Sequence, residues 1–307
     1  MAINPIMKAT LKALSYAEID LKRYYRAYRL LDNITHHSPK LLYEMWDRKI
    51  TTDGYKLPLR LFSPGRIESK EILLFFHGGG WVTGNIESYT MPCAELARHT
   101  GRRVLSVDYR LAPEYPFPCA LEDCYKAARE LFLHSRMPKT AGDRIILMGD
   151  SAGGNLAAAV SLMAAERGEF EVKRQILLYP STYNDHSASS PYASITEKGT
   201  GFLLTSKRIC DYQDLYLQNA EDRMNPYFAP LLSDRLAHQP KTLLITAEHD
   251  PLRDEGEAYG KKLREYGNDV RCYRLKDALH GFFSLPLPFT HIRQCYNLIN
   301  EFLNAGS

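Results

Sequence analysis

Ile145-Ile146-Leu147-Met148-Gly149-Asp150-Ser151-Ala152-Gly153-Gly154-Asn155-Leu156-Ala157-Ala158-Ala159 runs from four apolar residues, through a glycine-flanked serine, into a helix-forming segment. That order reads as strand, sharp turn and helix. Small residues on both sides let the backbone bend tightly and lift a hydroxyl above a sheet edge, which makes Ser151 the candidate nucleophile. The bland reading of the same residues is a glycine-rich turn with a capping serine, since Gly-x-Ser-x-Gly also arises by chance. Placement between strand and helix favours the nucleophile.

Outward from this turn, apolar segments at 71–76, 103–107, 144–148, 175–179, 241–246 and 270–275 alternate with helical stretches at about 87–99, 117–134, 154–166, 254–266 and 288–304. Two further short runs, 42–50 and 56–62, flank the turn signal Thr52-Asp53-Gly54 and read as an antiparallel hairpin leading the sheet. The pattern predicts an α/β fold: a mostly parallel eight-stranded sheet with helices on both faces and ligands bound at the carboxyl ends of the strands. The last strand, Val270 to Leu275, is expected at a sheet edge, where an open ladder invites a second copy and a homodimer.

Two stretches fall outside the alternation. Leu21, Tyr24, Tyr25, Tyr28 and Leu31 recur at helical spacing, as in an amphipathic helix. From 182 to 238 a Ser/Tyr/Asn-rich segment holds only a helix near 205–218 and prolines at 191, 226 and 230. It reads as an insertion that, with the N-terminal helix, caps the strand ends; a long surface loop is the alternative. The expected organisation is N-terminal cap helices over 1–45, a core over 46–181 and 239–307, and a cap insertion over 182–238.

With 39 basic and 36 acidic residues in 307, the net charge of +3 argues against nucleic acid or an anionic membrane as partner and suggests a small or uncharged substrate. Residues 1–30 lack the pattern of a signal peptide, and no segment approaches a membrane span. The cysteines at 93, 119, 124, 210, 272 and 295 lack metal-ligand spacing, which with the missing signal points to free thiols in the cytoplasm. Cys119 and Cys124 are close enough in the chain to bridge, but two packed thiols are the simpler expectation.

A serine hydroxyl needs a base within hydrogen-bond reach, and the base needs a partner that fixes its tautomer. His280, after the last strand in Ala278-Leu279-His280-Gly281-Phe282, and Asp250, after the strand Thr242–Thr246, suit those roles. His249 is the rival base and Glu248 the rival acid, while Asp254 and Glu255 read as first-turn helix residues placed for the helix dipole. His77-Gly78-Gly79-Gly80-Trp81 follows the strand Ile72–Phe76. A triple glycine is often only a flexible loop, but here it reads as an oxyanion loop, with the Ala152 amide as a further donor.

Four segments together resemble the hormone-sensitive-lipase-like esterases, a branch of the α/β-hydrolase fold. They are His77-Gly78-Gly79-Gly80-Trp81, Asp108-Tyr109-Arg110-Leu111-Ala112-Pro113-Glu114, Gly149 to Asn155, and Asp250-Pro251-Leu252-Arg253-Asp254-Glu255 with His280-Gly281-Phe282. The resemblance, running from about 70 to 285, implies a carboxylic ester hydrolase that needs no metal or other cofactor. In it Ser151 is acylated, His280 shuttles the proton, Asp250 orients it, and Gly79, Gly80 and Ala152 supply the oxyanion donors. It further implies that His77 fixes the loop beside Gly78, that Asp150 braces the pocket, that Arg110 and Glu114 tie the loop beneath the site, and that a cap covers the strand ends. Short-chain acyl esters are the expected substrates, with acetylated carbohydrates as the alternative. The plant gibberellin receptors, noncatalytic binders resembling the same family, lack the catalytic histidine that His280 supplies here.

Overall fold

The computed structural model describes residues 20–35, 44–52, 54–134, 144–284 and 290–305. The first part of the expected N-terminal cap, residues 1–19, and the stretch 36–43 lie outside the described residues, as does Asp53 of the hairpin turn. The strands are β1 (Met45–Thr52), β2 (Tyr55–Phe62), β3 (Ile72–Phe76), β4 (Arg103–Val107), β5 (Ile145–Asp150), β6 (Arg174–Leu178), β7 (Lys241–His249) and β8 (Val270–Leu279). They form one sheet in the order β1-β2-β4-β3-β5-β6-β7-β8. The β1–β2 hairpin and the β2–β4 pair are antiparallel; β4, β3, β5, β6, β7 and β8 pair in parallel. Eight strands, the leading hairpin and the edge position of β8 all agree with the sequence pattern. The expected end of β8 at 275 falls short, because a register irregularity between Ala247 and His249 lets the strand continue to Leu279 beside β7.

β3 shows how the sheet is buried on both faces. Successive side chains of a strand point to opposite sides. Thus Ile72, Leu74 and Phe76 join one core, with the helices α3 (Cys119–His134), α4 (Ala152–Arg167) and α7 (Arg253–Glu265). Leu73 and Phe75 join the other, with α2 (Thr90–Thr100) and α8 (Thr290–Asn304). Both faces being apolar, the central strands read as unbroken hydrophobic runs, as parallel strands do. No helix among the described residues is long and apolar enough to cross a membrane, and the six cysteines are unpaired.

Between β6 and β7 there is no strand. The segment carries the short helix α5 (Ala193–Lys198), α6 (Ser206–Tyr216) and two 3₁₀ turns, Ala220–Met224 and Pro230–Leu232. The N-terminal helix α1 (Leu21–Thr35) packs on α6, with Lys22 Nζ 2.7 Å from Asp214. Arg29 of α1 donates to the Val82 and Ala112 carbonyls, both at 2.6 Å.

Two roles differ from expectation. Arg110, expected to tie the loop beneath the site, grips Asp123 through both Nε and Nη2, whereas Glu114, expected to share that task, turns to Arg29 and anchors α1. Glu255 is not a solvent-facing dipole residue. Fully buried, it accepts the Thr182 and Tyr183 amides at 2.7 and 3.1 Å and lies 2.6 Å from His186 Nε2. His186 Nδ1 in turn meets Gln213 Nε2 of α6 at 2.8 Å. A buried polar chain therefore ties the start of α7 to the insertion.

Candidate active site

Ser151 sits at the turn between β5 and α4 with φ of 55° and ψ of −119°, a left-handed strained conformation for a residue with a side chain. Its hydroxyl can be raised there only because the neighbouring backbones nearly touch. A Cβ on Gly153 would lie 1.9 Å from the Phe76 carbonyl oxygen. The Ser151 amide donates to Leu178 at 2.9 Å, which fixes the turn to the end of β6.

Three residues from three strand ends form one line that ends at this hydroxyl. His280 Nε2 is 2.9 Å from Ser151 Oγ, and His280 Nδ1 is 2.7 Å from Asp250 Oδ2. Asp250, wholly buried, also accepts the Leu252 amide at 2.8 Å. An ionised carboxylate only accepts hydrogen bonds, so Nδ1 carries the proton and Nε2 is left to accept from the serine. Tyr179, at the end of β6, packs edge-on against the His280 ring at 4.8 Å between centroids.

The rivals are occupied elsewhere. His249 stacks on Phe202 at 5.0 Å, and Glu248 accepts the Asp277 amide at 2.7 Å. Glu248, His249 and Asp277 bring three potential ligand atoms within 4.8 Å of one another, but none of the three lines the cavity over Ser151.

The glycine loop after β3 faces the serine across a cavity of about 400 Å³ that Gly78, Gly79, Gly80, Ser151, Ala152 and His280 help to line. The Gly79 and Gly80 amides donate to no acceptor among the described residues. Ala152, first residue of α4, carries one of the amides that a helix start leaves unbonded. Gly80 has φ of 61°, and a Cβ there would meet the Tyr212 ring of α6 at 2.3 Å. The insertion thus presses directly on the loop.

Beneath the loop, Asp150 is buried and takes hydrogen bonds from the Gly78 amide at 2.8 Å, Tyr89 at 2.9 Å and Tyr179 at 3.2 Å. It faces protein, not solvent. Burial pushes its carboxyl up to about 6, against the pull of Tyr89, the His280 charge, Gly78 and Tyr179. His77 is also buried. Its Nδ1 meets the Gly78 carbonyl at 2.8 Å, its ring stacks on Tyr109 at 4.2 Å, and its own carbonyl accepts the Tyr109 hydroxyl at 2.7 Å.

A family model described as the alpha/beta hydrolase fold matches residues 73–284. The chain belongs to the α/β-hydrolase family. Its motifs and relatives place this α/β-hydrolase among the hormone-sensitive-lipase-like esterases. It is 36% identical over 247 residues to an arylesterase of Saccharolobus solfataricus, covering 79% of this chain and 78% of that protein. It is 34% identical over 244 residues to an ethyl acetate hydrolase of Pseudomonas putida, covering 78% and 76%. A solved arylesterase structure superposes with a TM-score of 0.86 at 32% identity, over 99% of each chain.

Sequence reasoning passed over Tyr89, Tyr179, Tyr212 and Asn155 as working parts of this α/β-hydrolase. For Tyr179 a signal existed, since it ends a strand whose carboxyl end faces the site. Asn155, the last residue of the serine motif, donates through Nδ2 to the Ser181 and Phe228 carbonyls at 2.9 and 2.7 Å, joining the elbow to the segment between β6 and β7. Tyr89, just before α2, and Tyr212, within α6, have nothing local to mark them.

Proposed function

We propose that this esterase cleaves short-chain acyl esters through an acyl-enzyme on Ser151. The observation that carries the reading is the unbroken line from Asp250 Oδ2 to His280 to Ser151 Oγ, with links of 2.7 and 2.9 Å, beside a cavity that Gly79, Gly80 and Ala152 also line. In the proposed sequence Ser151 Oγ attacks the ester carbonyl carbon as His280 Nε2 takes its proton. Negative charge grows on the former carbonyl oxygen, where the amides of Gly79, Gly80 and Ala152 stabilise it by about 3 kcal/mol for each well-placed donor. The tetrahedral species collapses, and the leaving alkoxide takes the proton from His280. Water, deprotonated by the same imidazole, then attacks the acyl-serine and releases the acid. Asp250 keeps the imidazole in the tautomer that both steps need and steadies its cation.

The acyl-length preference rests on the cavity. About 400 Å³ is near the low end of small-molecule sites, and Tyr212, Leu203, Leu204 and Leu252 limit the room beyond the carbonyl. The same reading treats 182–238 with the N-terminal helix as a cap on the core, supported by Tyr28 of α1 and Ile209 and Tyr212 of α6 all reaching that cavity. The test is hydrolysis of p-nitrophenyl acetate and butyrate beside longer homologues. Ser151→Ala is expected to lower kcat/KM at least about a thousandfold, with rates falling beyond the short acyl chains; full activity in that variant would overturn the reading.

A further inference from the structure

The small net charge of the chain says nothing about local charge, and the cavity over Ser151 carries a cation that ester hydrolysis as derived above does not use. Arg208, on the first turns of α6, lines that cavity. Its Nη1 donates to the Leu203 carbonyl at 3.2 Å, and its guanidinium lies over the Tyr28 ring, 5.9 Å from the centroid. Leu203 and Tyr28 line the same cavity, so the side chain is held against the cavity wall.

No ion pair joins Arg208 to a carboxylate among the described residues, and its Nε and Nη2 meet no acceptor among them. Its neighbours behave differently. Lys207 pairs with Asp211 at 2.8 Å, and Arg223 and Lys22 both pair with Asp214. The acid in the cavity lining, Asp150, is taken up by Gly78, Tyr89 and Tyr179. Removing a guanidinium from bulk water without a counter-anion costs free energy, and its fork of N–H donors matches a carboxylate bidentately. An anion brought in by the substrate would satisfy both.

We propose that Arg208 is a specificity-determining residue that selects esters bearing a carboxylate on the portion lying beneath the cap. The inference rests on the esterase reading of the site and adds the charge of its substrate. The carboxylate can come from either half of the ester. On the acyl side the substrate is the half-ester of a short dicarboxylic acid; on the alcohol side it is a short acyl ester of a hydroxy acid. In both cases Ser151 attacks the same carbonyl, and Arg208 contributes binding without touching the reacting atoms.

The test has two arms, each with an anionic ester and a neutral one of the same shape. Monoethyl succinate is compared with ethyl 4-methylpentanoate, and O-butyrylglycolate with isobutyl butyrate, by pH-stat on the wild type, Arg208→Gln and Arg208→Lys. In the arm that matches the natural substrate, R208Q is expected to lower the ratio of anionic to neutral kcat/KM at least about tenfold, mainly through KM. R208K, which keeps the charge but not the fork, is expected to restore part of it. Because both esters are measured on one preparation, loss of folded protein scales both rates alike, and the ratio reports only the molecules that fold. An unchanged ratio in both arms overturns the assignment of Arg208. Failure of the wild type to cleave any of the four esters, or cleavage that survives Ser151→Ala, counts against the esterase reading instead.

Discussion

A carboxyl group sealed beneath the glycine loop loses its hydration, and at Asp150 the hydroxyls of Tyr89 and Tyr179 and one amide offset only part of that loss. Its folded value of about 6 lies above the roughly 3.9 of a free aspartate. Between those values the folded protein holds the proton and the unfolded chain releases it, so this group's contribution to stability declines as pH rises through about 4 to 6. Replacing it by asparagine removes the titration. The unfolding free energy of the wild type relative to Asp150→Asn is expected to fall by on the order of 3 kcal/mol between about pH 4 and pH 7, read from urea denaturation. A difference that stays constant across that range would refute the assignment. Residues at this scale were legible in proportion to how local their signal is. Ser151 announces itself by its own neighbours, and Asp250 and His280 by following strands; Tyr89 and Tyr179 acquire their task only when β5, β6 and the start of α2 converge.

Helices and strands were legible nearly throughout, because each carries its period and its end signals within a dozen residues. What an element packs against is a different kind of information. Glu255, in the first turn of α7, looks from sequence like a carboxylate set for the helix dipole, yet the insertion folds over it and seals it against His186, Thr182 and Tyr183. Removing a carboxylate from a buried cluster leaves its donors unpaired, and such losses run to about 3–5 kcal/mol. Glu255→Ala is therefore expected to destabilise the protein by about that amount in chemical denaturation, since two amides and an imidazole lose their partner together. A loss well under about 1 kcal/mol would mean that water reaches the cluster and that the junction is not sealed. The Trp81 ring stacked on Tyr216 at 4.7 Å makes a second, apolar seam between the loop after β3 and α6.

Across the whole molecule the strand order carries the chemistry. Placing β3, β5, β6, β7 and β8 side by side, all in parallel, brings the turns after them to one edge. The glycine loop, Ser151, Tyr179, Asp250 and His280 each follow one of these strands, so a shared edge lets Ser151 meet His280 across 129 positions of chain. The alternation of strands and helices implied the parallel sheet, but not that β4 sits outside β3. How α6 and α1 meet the loop after β3 was not legible, because the contacts join Tyr212 of α6 to Gly80 and Arg29 of α1 to Val82, pairs with no local pattern. The mechanism requires that Ser151 Oγ be the atom that is acylated. Treating the protein with paraoxon and mapping its peptides by mass spectrometry tests this directly. One diethylphosphoryl group is expected on Ser151, in step with loss of esterase activity and absent in His280→Ala; inactivation with the label on another residue, or labelling that leaves activity intact, would contradict it.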